Sequence, residues 1–419
     1  MDSSKKTVVV VGGGFGGISV AKQLKKANVN VILVDKKNHH LFQPLLYQVA
    51  TAALSPGDIA MPIRGIFGKY SNVRTVMDEV TEIDKNSQTI VLKSGNKLNY
   101  DYLVLAPGAQ YNYFGNDNWS EHAPGLKTIA NALEVREKIL VSLEKADQIP
   151  DKEKRKPYLR YVIVGGGPTG VEMAGAIAEI AKRNMMRDFK SLSPEETEVY
   201  LVEAMSGILN GYPEHLSKKA QKDLEKMGVQ ILLDSPVTDI RENGIEIDGK
   251  FIETPNMVWA AGVKASPLIK ALDCEIDKMG RAIVTKNLTI PGTGNIFVIG
   301  DAAHAKDEDG NPLPGLAPVA LQMGKYVGNL IKEGKSIDKV NPFHYTDKGT
   351  MATIGRAKAV AKIRGFTFSG FVAWLVWCFI HIFFLIGYRN RFRVFAEWSW
   401  YYLTFKRGVR LITGRVTKK

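Results

Sequence analysis

The sequence predicts an α/β chain in which two dinucleotide-binding folds follow one another, and three observations predict it. A strand, glycine turn and helix start occurs twice, as "VVVVGGGFGG" at 8–17 and "YVIVGGGPTGVE" at 161–172. Each turn is followed by a second apolar strand that ends in an acid, Asp35 in the first copy and Glu203 in the second. The layout beyond those acids also repeats, so that Gly12 precedes Gly108 by 96 residues and Gly165 precedes Gly262 by 97.

Each element has a physical reason. Glycines at the first, third and sixth turn positions permit a tight bend, a close approach of backbone to a pyrophosphate, and packing of helix on strand. They are Gly12, Gly14 and Gly17 in the first copy and Gly165, Gly167 and Gly170 in the second. The helix behind each turn offers free N–H groups and partial positive charge to phosphates. Asp35 lies eighteen residues past Gly17, where an acid receives ribose hydroxyls. Glu203 follows a polar insertion around 185–198. An acid repels a ribose phosphate, so both sites favour a free 2′-hydroxyl and NADH over NADPH. The segments 73–109 and 229–263 share an apolar strand, a Val-Thr step, alternating strands about a polar turn, and a last strand ending in Ala-x-Gly or Ala-Gly. This is a whole-domain repeat, and two such domains bring two nucleotide cofactors together.

Composition narrows the chemistry. The 419 residues, 45% apolar, suffice for more than one core. Cys274 and Cys378 are far apart, and no His/Cys run has metal-ligand spacing. A disulfide framework, a dithiol centre and a metal site are therefore not expected, and both cysteines read as buried or incidental thiols. The N-terminus runs from a short polar stretch into a strand without a cleavable apolar segment, so the catalytic part is expected to face the cytoplasm or an equivalent reducing compartment.

Charge concentrates in the tail. Residues 365–419 hold nine Lys or Arg and one acid, Glu397, or +8 of the net +13. Residues 365–388 form 24 residues without a fixed charge; as one helix they extend about 36 Å, enough to cross a bilayer. Arg389, Arg391 and Arg393 follow, and then Trp, Tyr and Phe mixed with Lys and Arg, a composition suited to a membrane interface. The expectation is a cell-membrane anchor, monotopic or single-pass. A nucleic-acid tail would not carry such an apolar run, so nucleic acid is not an expected partner.

The segment "GTGNIFVIGDAAHA" at 292–305, followed by the helix "APVALQMGKYVGNLI", resembles the closing strand of flavoproteins with two dinucleotide domains. That resemblance implies FAD on the first copy and NADH on the second, with the NADH domain inserted into the FAD domain. The segments "HHLFQPLLYQVATAALSPGDIAMPIR", "WAAGV", "FVIGDAA", "APVALQMG" and the Trp-rich tail together resemble the type II NADH:quinone oxidoreductases. This resemblance implies hydride transfer from NADH to FAD and reduction of a membrane quinone without proton pumping. It also implies contact with the lipid bilayer and, from the family alone, a homodimer.

The domain boundaries that follow are 1–115 and 275–350 for FAD, 116–274 for NADH, and 351–419 for the helical anchor and quinone access. The resemblance places cofactor contacts on Gly12, Gly14, Phe15, Gly16, Gly17, Asp35, Lys36, Gln48, Val80, Ala106, Gly108, Gly300, Asp301, Ala317 and Pro318. In the second copy they fall on Gly165, Gly167, Pro168, Thr169, Gly170, Glu172, Glu203, Ala261 and Gly262. In the family a signature shaped A-Q-x-x-x-Q lies where flavin and quinone meet. This chain keeps Ala317 and Gln322 but has Pro318 at the first glutamine position, so Gln322 is the catalytic candidate. Glu172, two residues after Gly170, is the second, as an acid near nicotinamide and flavin. His381 in the apolar run reads as a packing or interfacial imidazole, and His39 and His40 as surface or packing residues.

Two other readings compete. A soluble NADH-dependent flavoprotein reductase of ferredoxin or rubredoxin leaves the apolar tail without a purpose. A non-catalytic redox-sensing flavoprotein would spread its basic charge over the folded body.

Overall fold

The Val-rich segment Thr7–Val11 sits at the centre of a five-stranded parallel sheet, because a strand covered on both faces must be apolar throughout. The computed structural model describes residues 2–180, 188–335, 337–404 and 409–412. Part of the polar insertion, 185–187, and tail residues 405–408 and 413–419 lie outside the described residues. The chain divides into two compact units: 1–41, 60–110 and 263–347 form the first, and 42–59, 111–262 and 348–419 the second.

In the first unit the strand order is Ile296–Val298, Tyr102–Leu105, Thr7–Val11, Asn30–Asp35 and Val73–Met77, all parallel. The order reverses direction beside Thr7–Val11, which makes the carboxyl end of that strand the topological switch point where nucleotides bind. The helix Phe15–Leu24 leaves this end and packs on the helix Ala317–Glu333. Small residues allow the approach. A Cβ on Gly324 would run into the Gly16 carbonyl, and the Ser19 hydroxyl donates to the Leu321 carbonyl at 2.8 Å.

The second unit repeats the plan. Val229–Leu232, Glu198–Val202, Arg160–Val164 and Asn256–Trp259 form a four-stranded parallel sheet in the matching order. The repeat extends to detail. Each unit carries a three-stranded antiparallel sheet, Val80–Asp84 with its neighbours in one and Val237–Arg241 with its neighbours in the other. Both shift register at the Val-Thr step, between Val80 and Glu82 and between Val237 and Asp239. A bulge at the same place in both copies marks the Val-Thr motif as a bend in the strand.

The tail differs from the expected helix. Phe366–Gly370 is a strand, the last of a three-stranded antiparallel sheet with Thr350–Gly355 and Lys358–Ile363. The helix that follows, Phe371–Phe384, has 14 residues and spans about 21 Å, short of a hydrocarbon core of about 30 Å. Glycines set both limits: Gly370 before the helix and Gly387 after it have φ of 77° and 90°, values that end regular structure and suit glycine. Among the described residues no helix is long and apolar enough to cross a membrane. The single-pass reading of 365–388 is thereby corrected: its first residues pair in a sheet rather than extend the helix.

Candidate functional site

The two glycine turns have the same internal logic. In the first, a Cβ on Gly12 would strike the Ala106 carbonyl, and one on Gly17 would strike the Gly12 carbonyl. In the second, a Cβ on Gly165 would meet the Ala261 nitrogen at 2.7 Å, and one on Gly170 would strike the Gly165 carbonyl. Gly12 and Gly165 also require glycine for φ values of 101° and 109°. The turn's own backbone therefore dictates the first and third glycines of each motif.

The middle glycines differ. Gly14 and Gly167 have ordinary negative φ, and a Cβ on either would meet nothing within 4 Å. No packing or conformational demand of the protein explains glycine there. What it does is keep the space beside the helix start clear, as approach of a dinucleotide pyrophosphate requires. Both helices also begin without a side-chain cap and without an acid in the first turn, which leaves their N–H groups to an anion. The residues present fit two dinucleotides.

The strand-end acids complete each cradle. The Asp35 carboxylate accepts from Gly13 N–H at 2.5 Å and Lys37 N–H at 2.6 Å. The Glu203 carboxylate accepts from Gly166 N–H at 2.6 Å and Met205 N–H at 2.9 Å. The same two backbone positions are held in both copies. A carboxylate has about four acceptor sites, so each acid keeps capacity for ribose hydroxyls while it fixes the turn.

A cavity of about 40 Å³ opens within the second unit. One wall is the second glycine helix, through Glu172, Ala176 and Glu179; facing it are Trp377, Trp398, Tyr401 and Tyr402 of the tail. Gln48 and Tyr47 close another side. These walls are tied together. Trp398 Nε1–H donates to Gln48 Oε1 at 2.7 Å, and the Gln48 amide donates to the Tyr47 hydroxyl at 2.9 Å. Tyr401 OH donates to Glu179 Oε2 at 3.1 Å, and the Arg356 N–H donates to Glu179 Oε1. Trp377 stacks between Trp398, at 5.4 Å, and His381, at 4.1 Å.

Glu172 is the titratable group this cavity perturbs most usefully. The residue is half-buried against the cavity, and among the described residues its backbone donor, Thr353 N–H, is long at 3.4 Å. Burial pushes its pKa up to about 8, against weaker lowering by Thr353 and Trp377. The acid therefore keeps its proton at neutral pH and can deliver it within the cavity. Its neighbour Tyr47 is held well above the usual phenol range by burial first and by Glu172 second. His381 Nδ1 donates to the Trp377 carbonyl of its own helix at 2.7 Å, and burial pushes its pKa down to about 4, so it is neutral.

A family model of pyridine nucleotide-disulphide oxidoreductases matches residues 6–324, and one of the NDH2 C-terminal domain matches residues 348–407. The chain is 42% identical over 423 residues to the type II NADH:quinone oxidoreductase Ndh of Mycobacterium tuberculosis, covering 97% of this chain and 90% of that one. The chain belongs to the type II NADH:quinone oxidoreductases. Its fold matches NDH2 from Plasmodium falciparum, solved with NADH, at a TM-score of 0.89 over 97% of this chain and 99% of that one, with 21% identity. The sulfide:quinone oxidoreductase of Aquifex aeolicus shares the fold at a TM-score of 0.74 and 18% identity, with 95% of each chain covered.

Within this type II chain, the other residues singled out from sequence fall as follows. Phe15 and Gly16 lie in the first turn of the first glycine helix, and Pro168 and Thr169 in the matching turn of the second. Ala106 and Gly108 flank the first turn's floor, and Ala261 and Gly262 occupy the matching place in the second copy. Gly300 (φ 69°) and Asp301 follow the edge strand Ile296–Val298. Lys36 is exposed and pairs with Glu79 at 3.8 Å, while Val80 is buried in the first unit's core.

Gln322 is committed elsewhere in its own unit. Its amide donates to the Thr346 carbonyl at 3.0 Å and accepts from Thr346 N–H at 3.1 Å, which fixes the segment leading into the tail. Pro318 stands in the first turn of the Ala317–Glu333 helix. A missing N–H costs nothing there, so the helix tolerates proline where the family signature has glutamine.

Sequence reasoning passed over Trp377, Trp398, Tyr401 and Glu179 as site residues. The spacing of Trp377 and Trp398 on two separate helices gives no local sign that they stack. Of the two readings of His40, surface or packing, the packing one agrees with its burial, and no local pattern signals its hydrogen bond to the Gly13 carbonyl.

Proposed function

We propose that this chain oxidises NADH and reduces a membrane quinone, with FAD held by the first glycine turn, NADH by the second, and the quinone head reaching the cavity beside Glu172. When bound, the flavin supplies the chemistry that takes hydride from NADH and passes two electrons to the quinone. Family membership supports the reaction. The observation that carries the site is the placement of one half-buried acid, Glu172, in the cavity between the second glycine helix and the aromatic tail, where burial pushes its pKa up.

The protein's own residues have distinct tasks in this reading. Gly14 and Gly167 leave room for the pyrophosphates, and Asp35 and Glu203 accept the ribose hydroxyls. Glu172 holds a proton for the reduced quinone, and the Trp398–Gln48–Tyr47 chain keeps the wall polar at a defined place. A cavity of about 40 Å³ holds roughly three waters, so the aromatic side chains must part for a quinone ring.

The tail helices engage the membrane surface without crossing it. Phe371, Leu375, Phe379 and Phe383 recur every four residues on the first helix and are all exposed. On the second, Tyr388, Phe392 and Phe395, four and three residues apart, and Leu403 are exposed, beside Arg389, Arg391 and Arg393. Such apolar stripes with flanking cations suit an interfacial helix.

One vesicle experiment tests both parts. On quinone-containing anionic vesicles, Ala176→Leu fills the cavity and is expected to lower quinone turnover about tenfold or more while the protein still floats with the vesicles. Serine at Phe379, Phe383, Phe392 and Phe395 is expected to release it from them. Normal quinone turnover by Ala176→Leu would remove the cavity from the reaction; flotation of the serine variant, or a shift from dimer to monomer without loss of flotation, would remove the stripes from the membrane.

A further inference from the structure

In both copies the residue after the first glycine has its N–H held by the strand-end acid, and in both its carbonyl is held as well. In the second copy Leu209 N–H donates to the Gly166 carbonyl at 2.7 Å, and Leu209 takes a left-handed φ of 52°. In the first copy no backbone amide among the described residues does this. The His40 ring, through Nδ1, binds the Gly13 carbonyl at 2.8 Å.

We propose that His40 is a positioning residue for the flavin cradle, clamping the Gly13 carbonyl as the Leu209 amide clamps Gly166 in the NADH cradle. The reasoning is covalent. A trans peptide is planar, so fixing the Gly13 carbonyl fixes the Gly14 N–H in the opposite direction. Gly14 is the helix start whose side-chain space is clear, and its N–H is among those a phosphate meets. His40 thus aims a phosphate donor without touching the phosphate.

The ring is built to hold this position. A carbonyl only accepts, so Nδ1 carries the proton. His40 is 2% exposed, and Nε2 has no hydrogen-bond partner, so Nδ1 makes the only hydrogen bond the ring has among the described residues. Phe15 packs edge-on to the ring at 5.2 Å. The short strand His39–Leu41 pairs with Ala60–Pro62, and Ile63 N–H donates to the Asn38 carbonyl at 2.8 Å, which fixes the backbone on which His40 sits. The Ile63 side chain lies so close to Gly13 that a Cβ there would meet it at 2.5 Å.

This inference rests on the reading of the first turn as the FAD cradle, and the test separates the two. His40→Asn keeps an amide donor close to the Nδ1 position, whereas His40→Leu keeps bulk and removes the donor. Equilibrium FAD affinity of the deflavinated full chain and NADH affinity of the reconstituted protein are measured for both. The expected result is FAD affinity about tenfold weaker for His40→Leu, the size of one lost hydrogen bond to a buried carbonyl, near wild type for His40→Asn, and unchanged NADH affinity. Should His40→Leu not fold, His40→Phe, which keeps an aromatic ring and removes the donor, takes its place with the same loss expected. Unchanged affinity for both FAD and NADH in the donor-free variant, or equal losses for it and His40→Asn, would overturn the clamp. Loss of NADH affinity with FAD affinity intact would keep the clamp and overturn the assignment of FAD to the first turn.

Discussion

Gly14→Val yields a folded protein that does not retain flavin. The backbone at Gly14 has φ −74° and ψ −166°, which valine adopts readily, and no protein atom lies within 4 Å of the new Cβ. The cost to the fold is that of a poorer helix start, about 1 kcal/mol or less. The isopropyl group instead fills the space a pyrophosphate needs, and FAD affinity is expected to fall by about 100-fold or more, some 2.7 kcal/mol. Gly17→Ala is the control with the opposite pattern. Its Cβ strikes the Gly12 carbonyl, so the turn distorts and the melting temperature drops even without cofactor. Absorbance of the flavin band and thermal melting of both apo-proteins check the pair; a Gly14→Val protein with full flavin and normal affinity would contradict the reading of the middle glycine.

Glu172→Gln separates proton delivery from electron entry. Glutamine imitates the protonated acid in shape and neutrality but has no proton to give. Flavin reduction by NADH is expected to continue, whereas quinone turnover falls by about tenfold or more. Stability gives an independent readout, and its sign follows from the shift. The acid's pKa rises from 4.5 when exposed to about 8 in the fold, so between those values the folded protein binds the extra proton. Stability is therefore greatest below pH about 4.5 with respect to this group and declines as pH rises through about 8. The decline is on the order of 2 kcal/mol, because water entering the cavity screens part of the effect. Glu172→Gln removes that slope and is the more stable protein above pH about 8. Parallel stability curves of wild type and variant across this range would show that Glu172 titrates normally.

Much of this was legible in the chain because it lies in local, periodic signals. The glycine spacing and the strand-end acids need only neighbouring residues, and the repeat made each copy a check on the other. The Val-Thr step even marked a bulge that both sheets share. The tail was less legible for a definite reason. Hydropathy counts Phe366, Phe368 and Phe371 alike, but Gly370 with φ 77° separates a strand from a helix, and no sum over side chains registers that break.

The cavity was legible only at Glu172 and Gln48. Its aromatic walls from the tail come from residues more than two hundred positions away, and only the fold brings Trp377 and Trp398 to them. His40 illustrates the same limit. A histidine beside another histidine carries no local sign that its Nδ1 meets a carbonyl 27 residues earlier.

The division of labour between the two turns is most directly tested by rapid mixing of a Gly167→Val variant. Anaerobic NADH, then a short-chain quinone after chemical reduction, would be followed at the flavin band. The account predicts a full flavin band, bleaching by NADH slowed about 100-fold or more at subsaturating NADH, and normal return of the band on quinone addition. Bleaching by NADH at the wild-type rate, or loss of the flavin with NADH affinity intact, would contradict it.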